Sequence, residues 1–435
     1  MATNDYSTIE TGKEMHALAT ELFPLPRSLS GDGVRETFRI LQRHLPELKV
    51  HEVPSGKPCF DWTVPPEWNC RAAYILTPDG RRIADFSVNN LHVVGYSTPV
   101  DLSVTLEELQ QHLYSLPNQP EAIPYITSYY KERWGFCLSH REREQLQPGT
   151  YKVRIDSTLA PGSLTYGELL IPSSAGGREE IFLSTYVCHP SLANNELSGP
   201  VVTTFLGKWL ASLPRRRFAY RLIFIPETIG SITYLSRNLA EMKQRIVAGY
   251  NVSCVGDDRA YSYLPSRQGD TLADRAALHA LRHLAPGFSR YSFLDRGSDE
   301  RQYCSPGVDL PVASVMRTKY GMYPEYHTSL DNLDLITPGG LFGGFNALKH
   351  CLLCLEKNET LQNTVLCEPQ MGKRGLYPTL STKESSDQVR TMMDLLAYCD
   401  GTRDLLAVAE TIGVPMWDCF KIVEVLKTNQ LLRTV

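Results

Sequence analysis

The chain contains 435 residues, of which 42% are hydrophobic and 21% charged, and its formal net charge is −4. This length predicts two or three domains, and the composition is typical of a globular protein with a large core. The small negative charge argues against broad binding to nucleic acids or anionic membranes, and no stretch approaches the ~18 apolar residues of a membrane span. Residues 1–13 lack the pattern of a secretory signal. We therefore expect a cytoplasmic protein with no nucleic-acid or membrane partner.

The N-terminal part of the chain combines two helical patterns with a β-rich stretch. Hydrophobic periodicity predicts helices over residues 11–22 and 33–45. Between residues 50 and 171, short alternating segments are broken by Pro and Gly, which is typical of an antiparallel β layer. Within this layer we predict a helix over residues 101–116, and residues 125–137 are unusually aromatic.

From residue 180 onward, buried strand patterns alternate with helical patterns. The predicted strands cover residues 181–187, 221–225, 246–252 and 312–317, and the predicted helices cover residues 200–212, 229–240, 271–284 and 339–355. Such alternation predicts a mostly parallel sheet with helices on both faces.

After a connector, residues 387–435 contain three short helical patterns, a Gly at the turn and a Leu-Leu strand start, which resemble a winged helix-turn-helix. The segment 416–428 carries few basic residues for phosphate contacts. We therefore expect this tail to pack on protein rather than to read DNA. Cys351 and Cys354 form a C-x-x-C inside a predicted helix without a second pair, so we expect them to pack in the core.

Three residues form a candidate catalytic group. His189 ends the predicted strand 181–187, Glu227 follows the next strand, and a second histidine, His327, stands in a Tyr-His-Thr frame. Open α/β sheets bind ligands at the carboxyl ends of their strands. Two neutral imidazoles with a carboxylate suit catalytic zinc, which keeps one position open for water, and a nearby Glu can move the proton of that water to a leaving amine.

The motif order resembles that of a known family. His189, the Ala-Asn-x-x-x-Ser-Gly loop at 193–199, Glu227, the Ser-Asp pair at 298–299 and the Tyr-His-Thr segment at 326–328 follow in the order of zinc aminopeptidases of the bacterial leucyl-aminopeptidase and glutaminyl-cyclase type. The chain is most similar to their relatives with an inserted β domain and a C-terminal winged helix. The resemblance implies an α/β, aminopeptidase-like domain (residues 1–63 and 159–360), an inserted β-rich domain (64–158), and a connector with a winged-helix-like domain (361–435).

The chain departs from the family pattern at the metal ligands. Asn195 occupies the position of the bridging Asp, and the family's Glu-Glu pair, a general base followed by a ligand, is reduced to Glu227. A further Asp ligand would fall near residues 251–254, where no carboxylate is present, and Asp257, Asp258 and Asp299 remain as candidates. An amide holds a second dication poorly, so we expect one zinc ion rather than two. Glu227 could serve as ligand or as base.

The resemblance also suggests roles for the remaining candidates. His189, His327, Glu227 and Asn195 are the candidate metal-site residues, and Tyr303 or Tyr326 would donate a hydrogen bond to the oxyanion. The candidate substrate-binding residues are Asp299, Glu300, Glu325, Tyr326 and the aromatic run 129–134. The alternatives are structural: Glu227 could complement a helix dipole, His327 could be a core histidine, and Asp299 and Glu300 could form a solvated turn.

We therefore predict a zinc-dependent amide hydrolase that acts on a free-amine aminoacyl amide or short peptide. Two alternatives remain: a non-catalytic binding or regulatory protein on a peptidase scaffold, and an aminoacyl cyclase or transferase that uses the same pocket. We also expect a homo-oligomer.

Overall fold

The computed structural model describes residues 6–129, 131–376 and 383–435. In these residues the helices are α1 (Ile9–Leu22), α2 (Asp32–His44), α3 (Leu106–Gln110), α4 (His140–Glu144), α5 (Ser198–Ser212), α6 (Ile229–Arg245), α7 (Leu272–Leu284), α8 (Glu300–Tyr303), α9 (Pro338–Lys357), α10 (Lys383–Tyr398), α11 (Leu405–Ile412) and α12 (Met416–Thr428). The strands are β1 (Lys49–Pro54), β2 (Pro58–Cys59), β3 (Trp62–Thr63), β4 (Glu67–Leu76), β5 (Arg82–Ile83), β6 (Val100–Thr105), β7 (Leu113–Tyr114), β8 (Phe136–Cys137), β9 (Thr150–Ala160), β10 (Ser163–Ile171), β11 (Glu180–Tyr186), β12 (Ala219–Ile225), β13 (Ile246–Asn251), β14 (Ser262–Leu264), β15 (Ser289–Arg290), β16 (Val312–Met316), β17 (Thr360–Asn363), β18 (Asp400–Asp404) and β19 (Leu432–Thr434).

Eight strands of the described residues form the main sheet, in the order β1-β10-β12-β11-β13-β16-β14-β15. The central strands β12, β11, β13 and β16 are mutually parallel. Strands β1 and β10 pair antiparallel with their neighbours, and β14 is antiparallel to β16 but parallel to β15. Strands β11 and β16 are buried along their whole length, which requires cover on both faces of the sheet. The predicted α/β fold is therefore confirmed, with a sheet that is parallel at its centre and mixed toward its edges.

The helices that cover the sheet are amphipathic or fully apolar. In α2, Val34, Phe38 and Leu41 recur at helical spacing and are all buried. Helix α5 packs against α1, α2 and the strands β10 to β12, and α8 packs against α6 and β16. None of the helices in the described part of the chain combines the length and apolar character that a bilayer crossing requires.

Strands β4, β5, β6 and β9 form a separate antiparallel sheet in the order β5-β4-β9-β6. It lies between β1 and β10 in the chain, and the described residues of 64–158 add no strand to the main sheet. The predicted helix over residues 101–116 is wrong, because residues 100–105 pair with β9 as strand β6. A capping box between Thr105 and Glu108 begins the helix only at Leu106, and that helix ends at Gln110.

The chain divides into two compact units, residues 1–269 with 289–346 and residues 270–288 with 347–435. The second unit contains α7, α10 to α12 and a three-stranded sheet in the order β18-β17-β19. Within it, His279 of α7 accepts a hydrogen bond from the backbone N–H of Met416 at 2.8 Å. Cys351 and Cys354 are fully buried, which confirms that they pack in the core.

Candidate active site

His189 and Glu227 lie at the same edge of the main sheet. His189 comes three residues after the end of β11, and Glu227 comes two residues after the end of the parallel neighbour β12. Helix α5 begins against these strand ends and approaches them closely. A Cβ atom on its Gly199 would lie 2.4 Å from both Thr185 Oγ1 and the backbone oxygen of Val252, so this position requires glycine. The strand ends and the start of α5 thus form one packed edge.

His189 is held by side chains that contact its backbone and its Nδ1 atom. The buried Arg27 donates a hydrogen bond from Nε to the backbone oxygen of His189 at 3.1 Å, and a second one to Leu22. Cys188 Sγ lies 3.3 Å from His189 Nδ1 and also accepts the backbone N–H of Glu227. These contacts fix the backbone and ring of His189 and leave its Nε2 atom facing Glu227.

Glu196 is a buried carboxylate that the sequence analysis did not select. Its Oε2 atom lies 2.7 Å from His189 Nδ1, and its Oε1 atom is buried and has no hydrogen-bond partner in the described part of the chain. Glu196 belongs to a π-helical turn, Ala193–Leu197, that leads directly into α5. Such turns are frequent at functional sites. The turn places a carboxylate behind the ring of His189, where it can orient that ring.

Asp331 holds the same π-helical turn from the other side. Its carboxylate accepts the backbone N–H groups of Ala193, Asn194 and Asn195 at 2.6 to 3.1 Å. The hydroxyl of Tyr323 donates a further hydrogen bond to it at 3.1 Å. Asp331 therefore caps the otherwise unpaired N–H groups at the start of the turn.

The two asparagines of this turn differ in their contacts. Asn194 donates to Asp257 and accepts the backbone N–H of Gly256, so its side chain is structural. Asn195 is buried, and within the described residues neither its Oδ1 nor its Nδ2 atom has a hydrogen-bond partner. Of the other candidate carboxylates, Asp257 is saturated by four donors, including Thr318, and the exposed Asp258 accepts a hydrogen bond from Thr337. Asn195 therefore keeps free ligand atoms, whereas those of Asp257 are occupied.

Glu227 stands next to a strained residue that Asp299 supports. Thr228 has φ 63° and ψ −77°, which is a true outlier for a β-branched residue. The Oδ1 atom of Asp299 accepts the backbone N–H of Thr228 and the hydroxyl of Ser231, each at 2.8 Å. Arg301 also donates to the Thr228 hydroxyl. The strain is thus maintained by specific contacts, and it sets the direction of the Glu227 side chain, which is 20% exposed.

His327 lies beside His189 although the two residues are far apart in the chain. Their ring centroids are 5.5 Å apart. The backbone of His327 has φ 57°, a second strained conformation at this edge of the sheet. The ring of Tyr326 stacks on the ring of His327 at 3.9 Å. Strand ends and the 323–331 loop therefore bring His189, Glu227 and His327 close together.

The inserted β-rich segment contributes another ring to this group. The ring of Tyr125 lies 4.8 Å from that of His189 and 5.2 Å from that of His327. In the aromatic run 129–134, Trp134 stacks on His112 at 3.5 Å, and Tyr130 lies outside the described residues. Tyr125, four residues before the predicted run, therefore contacts the rings of both histidines.

Three predicted site residues are engaged elsewhere. Glu300 accepts hydrogen bonds from Asn251, Tyr320 and two backbone N–H groups. Glu325 forms a two-point ion pair with Arg259 at 2.7 and 2.8 Å, and this pair lowers the pKa of Glu325. The hydroxyl of Tyr303 is buried and lies 2.7 Å from Ser184 Oγ. The polar atoms of these three side chains are therefore already engaged with other parts of the chain.

Burial dominates the pKa values of the carboxylates in the site, and the nearby charges of Arg27 and Arg301 offset its effect only in part. Burial raises the pKa of Glu196 to about 8, and burial together with the neighbouring charge of Asp299 raises the pKa of Glu227 to about 8. Burial lowers the pKa of His189 and of His327 to about 3. Both imidazoles are thus neutral, as metal ligands must be, and a cation would stabilise the ionised carboxylates.

The sequence matches, over residues 16–358, the family described as domain of unknown function DUF4910, and over residues 359–434 the winged helix-turn-helix HTH_47. The first match covers more than half of the chain. The chain belongs to the DUF4910 family. It carries an aminopeptidase-like domain followed by a winged helix.

Two comparisons involve Clostridium acetobutylicum. A protein of that organism described as “Putative polysaccharide biosynthesis protein with aminopeptidase-like domain” is 44% identical over 408 residues, which cover 93% of this chain and 92% of the relative. The crystal structure of a “putative peptidase” from the same organism has a TM-score of 0.92 and 42% identity, and the match covers 98% of this chain and 97% of that chain.

A more distant comparison concerns the fold alone. BSAP, a zinc aminopeptidase from Bacillus subtilis, matches with a TM-score of 0.56 and 12% identity, over 78% of this chain and 94% of that chain. This DUF4910 protein therefore shares the aminopeptidase fold.

The distances around His189 decide where this DUF4910 protein could hold an ion. Two groups that bind one tetrahedral zinc at about 2.1 Å lie about 3.4 Å apart. His189 Nε2 and Glu227 Oε2 are 3.6 Å apart, which is too long for a hydrogen bond but close to that separation. On the other side of the ring, Cys188, His189 and Glu196 are also close together, but the 2.7 Å from Nδ1 to Glu196 is a hydrogen-bond distance. The donor set at Nε2 therefore fits zinc, and Glu196 fits the orienting carboxylate of a ligand histidine.

Glu196→Gln is expected to weaken zinc affinity about tenfold, because an amide oxygen can still accept from Nδ1 but carries no charge. This is the lower end of the 10- to 100-fold effects usual for such partners. Competition with a fluorescent chelator measures the affinity. Glu180→Gln is a matched control, since Glu180 is a buried carboxylate at the opposite end of β11, paired with Arg221. It should lower stability and leave zinc affinity unchanged, and equal affinities in all three proteins would contradict the role of Glu196.

Proposed function

We propose that this protein is a zinc-dependent amide hydrolase that removes or cleaves an amino-terminal aminoacyl group from an amide or short peptide. The observation that carries the proposal is the convergence of His189, His327 and Glu227 at one edge of an aminopeptidase-like sheet. We further propose that one ion binds, held by the two histidines together with Glu227 or Asn195, because an amide replaces a carboxylate at position 195.

The residues of the site suit the steps of amide hydrolysis. Zinc, when bound, would polarise the carbonyl group and acidify water. Glu227 has a raised pKa and a partly exposed carboxylate, so it can accept a proton from water and pass it to the departing amine. Tyr326 lies against His327, and its hydroxyl can donate a hydrogen bond to the carbonyl oxygen as negative charge develops. Of the two tyrosines predicted for that role, Tyr326 is the one beside the histidines.

The charge of the site favours a substrate with a free amine. Burial raises the pKa of Glu196, Glu227 and Asp299, and among the described residues the Oδ2 atom of Asp299 has no hydrogen-bond partner. A dication and an ammonium group would together stabilise the ionised carboxylates. Because Glu300 and Glu325 are already paired, we assign amine recognition to Asp299.

A substrate screen tests this proposal. The zinc-loaded protein is assayed against aminoacyl anilides and dipeptides, each beside its N-acetylated form. We expect cleavage of the free-amine compounds and at least tenfold less cleavage of the blocked ones. Equal cleavage of both forms would contradict amine recognition. If no compound is cleaved, the binding-protein alternative gains support over the hydrolase.

We also propose that the winged helix does not read DNA. On α12, the exposed positions are Asp418, Lys421, Glu424 and Thr428, with one basic and two acidic side chains. Lys427 is already paired with Glu359. This surface is poorly suited to contact phosphates.

The full-length protein is therefore expected to show no salt-dependent binding to duplex DNA. Fluorescence anisotropy with a labelled 30-base-pair duplex, between about 50 and 200 mM salt, measures this, because phosphate contacts make affinity fall steeply in that range. A Glu424→Lys variant provides a comparison in which the exposed face becomes more basic. Submicromolar binding by the wild type that weakens with salt would contradict the proposal.

A further inference from the structure

A short segment of the insertion is bonded to the loop that carries His327. The backbone N–H of Tyr125 donates to the backbone oxygen of His327 at 2.8 Å. The backbone N–H of Ser329 donates to the backbone oxygen of Ile123 at 2.9 Å, and Gln119 donates to Pro324. These bonds fix the position of residues 119–125 relative to His327, so the insertion forms a wall of the candidate site.

Tyr125 is the residue of this wall that lies nearest to the proposed zinc ligands. Its ring contacts the rings of both His189 and His327. The contact with His327 is edge-on, with an interplanar angle of 81°. Tyr125 and Tyr326 thus both contact the ring of His327, one from the insertion and one from the aminopeptidase-like part of the chain.

The hydroxyl of Tyr125 is available to a ligand. Tyr125 is half-buried, and among the described residues its hydroxyl forms no hydrogen bond. A phenol is protonated at neutral pH, so this hydroxyl can act as a hydrogen-bond donor.

We propose that Tyr125 is a substrate-contacting residue supplied by the insertion: its ring forms the wall beside the two histidines, and its hydroxyl donates a hydrogen bond to the carbonyl oxygen of the amide to be cleaved. This inference rests on the proposed hydrolase function. With Tyr326 it provides two phenol donors, and paired donors are the usual arrangement for stabilising a developing oxyanion. One donor of the pair comes from a segment outside the main sheet.

Tyr125→Phe tests the role of the hydroxyl, because it keeps the ring and its packing. With the anilide found in the substrate screen, we expect kcat to fall about a hundredfold with little change in KM. A second readout is calorimetric binding of leucine hydroxamate to the zinc-loaded protein, whose carbonyl oxygen represents that of the substrate. Loss of one hydrogen bond should weaken this binding about tenfold. Zinc content should equal that of the wild type.

Tyr74→Phe is the matched control, because Tyr74 lies in the inserted sheet beneath Arg82, away from the histidines. It should match the wild type in both measurements. If the wild type cleaves the anilide and binds the hydroxamate, and Tyr125→Phe does both within twofold, the role of Tyr125 is refuted and the hydrolase proposal stands. If the wild type does neither, the hydrolase proposal fails and the role of Tyr125 fails with it.

Discussion

His189→Ala and His327→Ala are each expected to reduce bound zinc from about one equivalent per chain to near zero after dialysis. Each change removes one of three or four ligands and leaves buried carboxylates without a cation, so much of the binding free energy is lost. Elemental analysis of the purified proteins measures the zinc content. The metal-free variants should also melt at the temperature of the chelator-treated wild type, because an ion that binds only the folded state stabilises it.

His92→Ala is a suitable control for these variants. His92 is buried and bonds through Nδ1 to the backbone oxygen of Cys137 at 2.8 Å, so its removal also leaves a cavity and a lost hydrogen bond. It should retain zinc fully while losing some stability. Wild-type zinc content in either His189→Ala or His327→Ala would show that the ion binds elsewhere.

Glu227→Gln is expected to lower kcat by a factor between about one hundred and ten thousand, the range for loss of a general base. The amide has nearly the same shape, so circular dichroism should show an unchanged fold. Zinc content then distinguishes the two roles left open for Glu227. If Glu227→Gln retains zinc but loses turnover, Glu227 is a base. If the variant loses zinc, Glu227 is a ligand, and its 3.6 Å separation from His189 Nε2 also suits that role.

The comparison variant is Glu241→Gln, which alters a half-exposed carboxylate on α6 paired with Arg245. It should match the wild type in turnover and zinc content. A Glu227→Gln protein with wild-type turnover would contradict both roles of Glu227.

The central strands and the positions of His189 and Glu227 could be predicted from local sequence. Strand β11 is a continuous apolar and β-branched run that ends just before His189, and β12 ends just before Glu227. Because parallel strands end at the same edge of a sheet, the proximity of the two side chains follows from the pattern. The helix predicted over residues 101–116 rested on local sequence patterns alone. In the structure, residues 100–105 pair with β9 and form a strand instead.

The partners of charged side chains could not be predicted, because they lie far away in the chain. Glu325 pairs with Arg259, 66 residues away, and Glu300 bonds to Asn251, 49 residues away. Their sequence neighbourhoods give no sign of these contacts. Glu196 was missed although its partner, His189, is only seven residues away in the chain. Only the π-helical turn places its carboxylate against His189 Nδ1, and a continuous α-helical pattern would not indicate this.

The three backbone N–H groups that donate to the Asp331 carboxylate join it to a turn 136 to 138 residues away in the chain. One loop follows His189 and contains Asn195, and the other contains His327. Ordering such loops when an ion arrives would require about 1 to 2 kcal/mol of conformational entropy per residue, but here they are already ordered when the chain folds. The proposed zinc site would therefore be ordered before an ion binds, and zinc could be exchanged for another divalent ion while the two loops keep their positions.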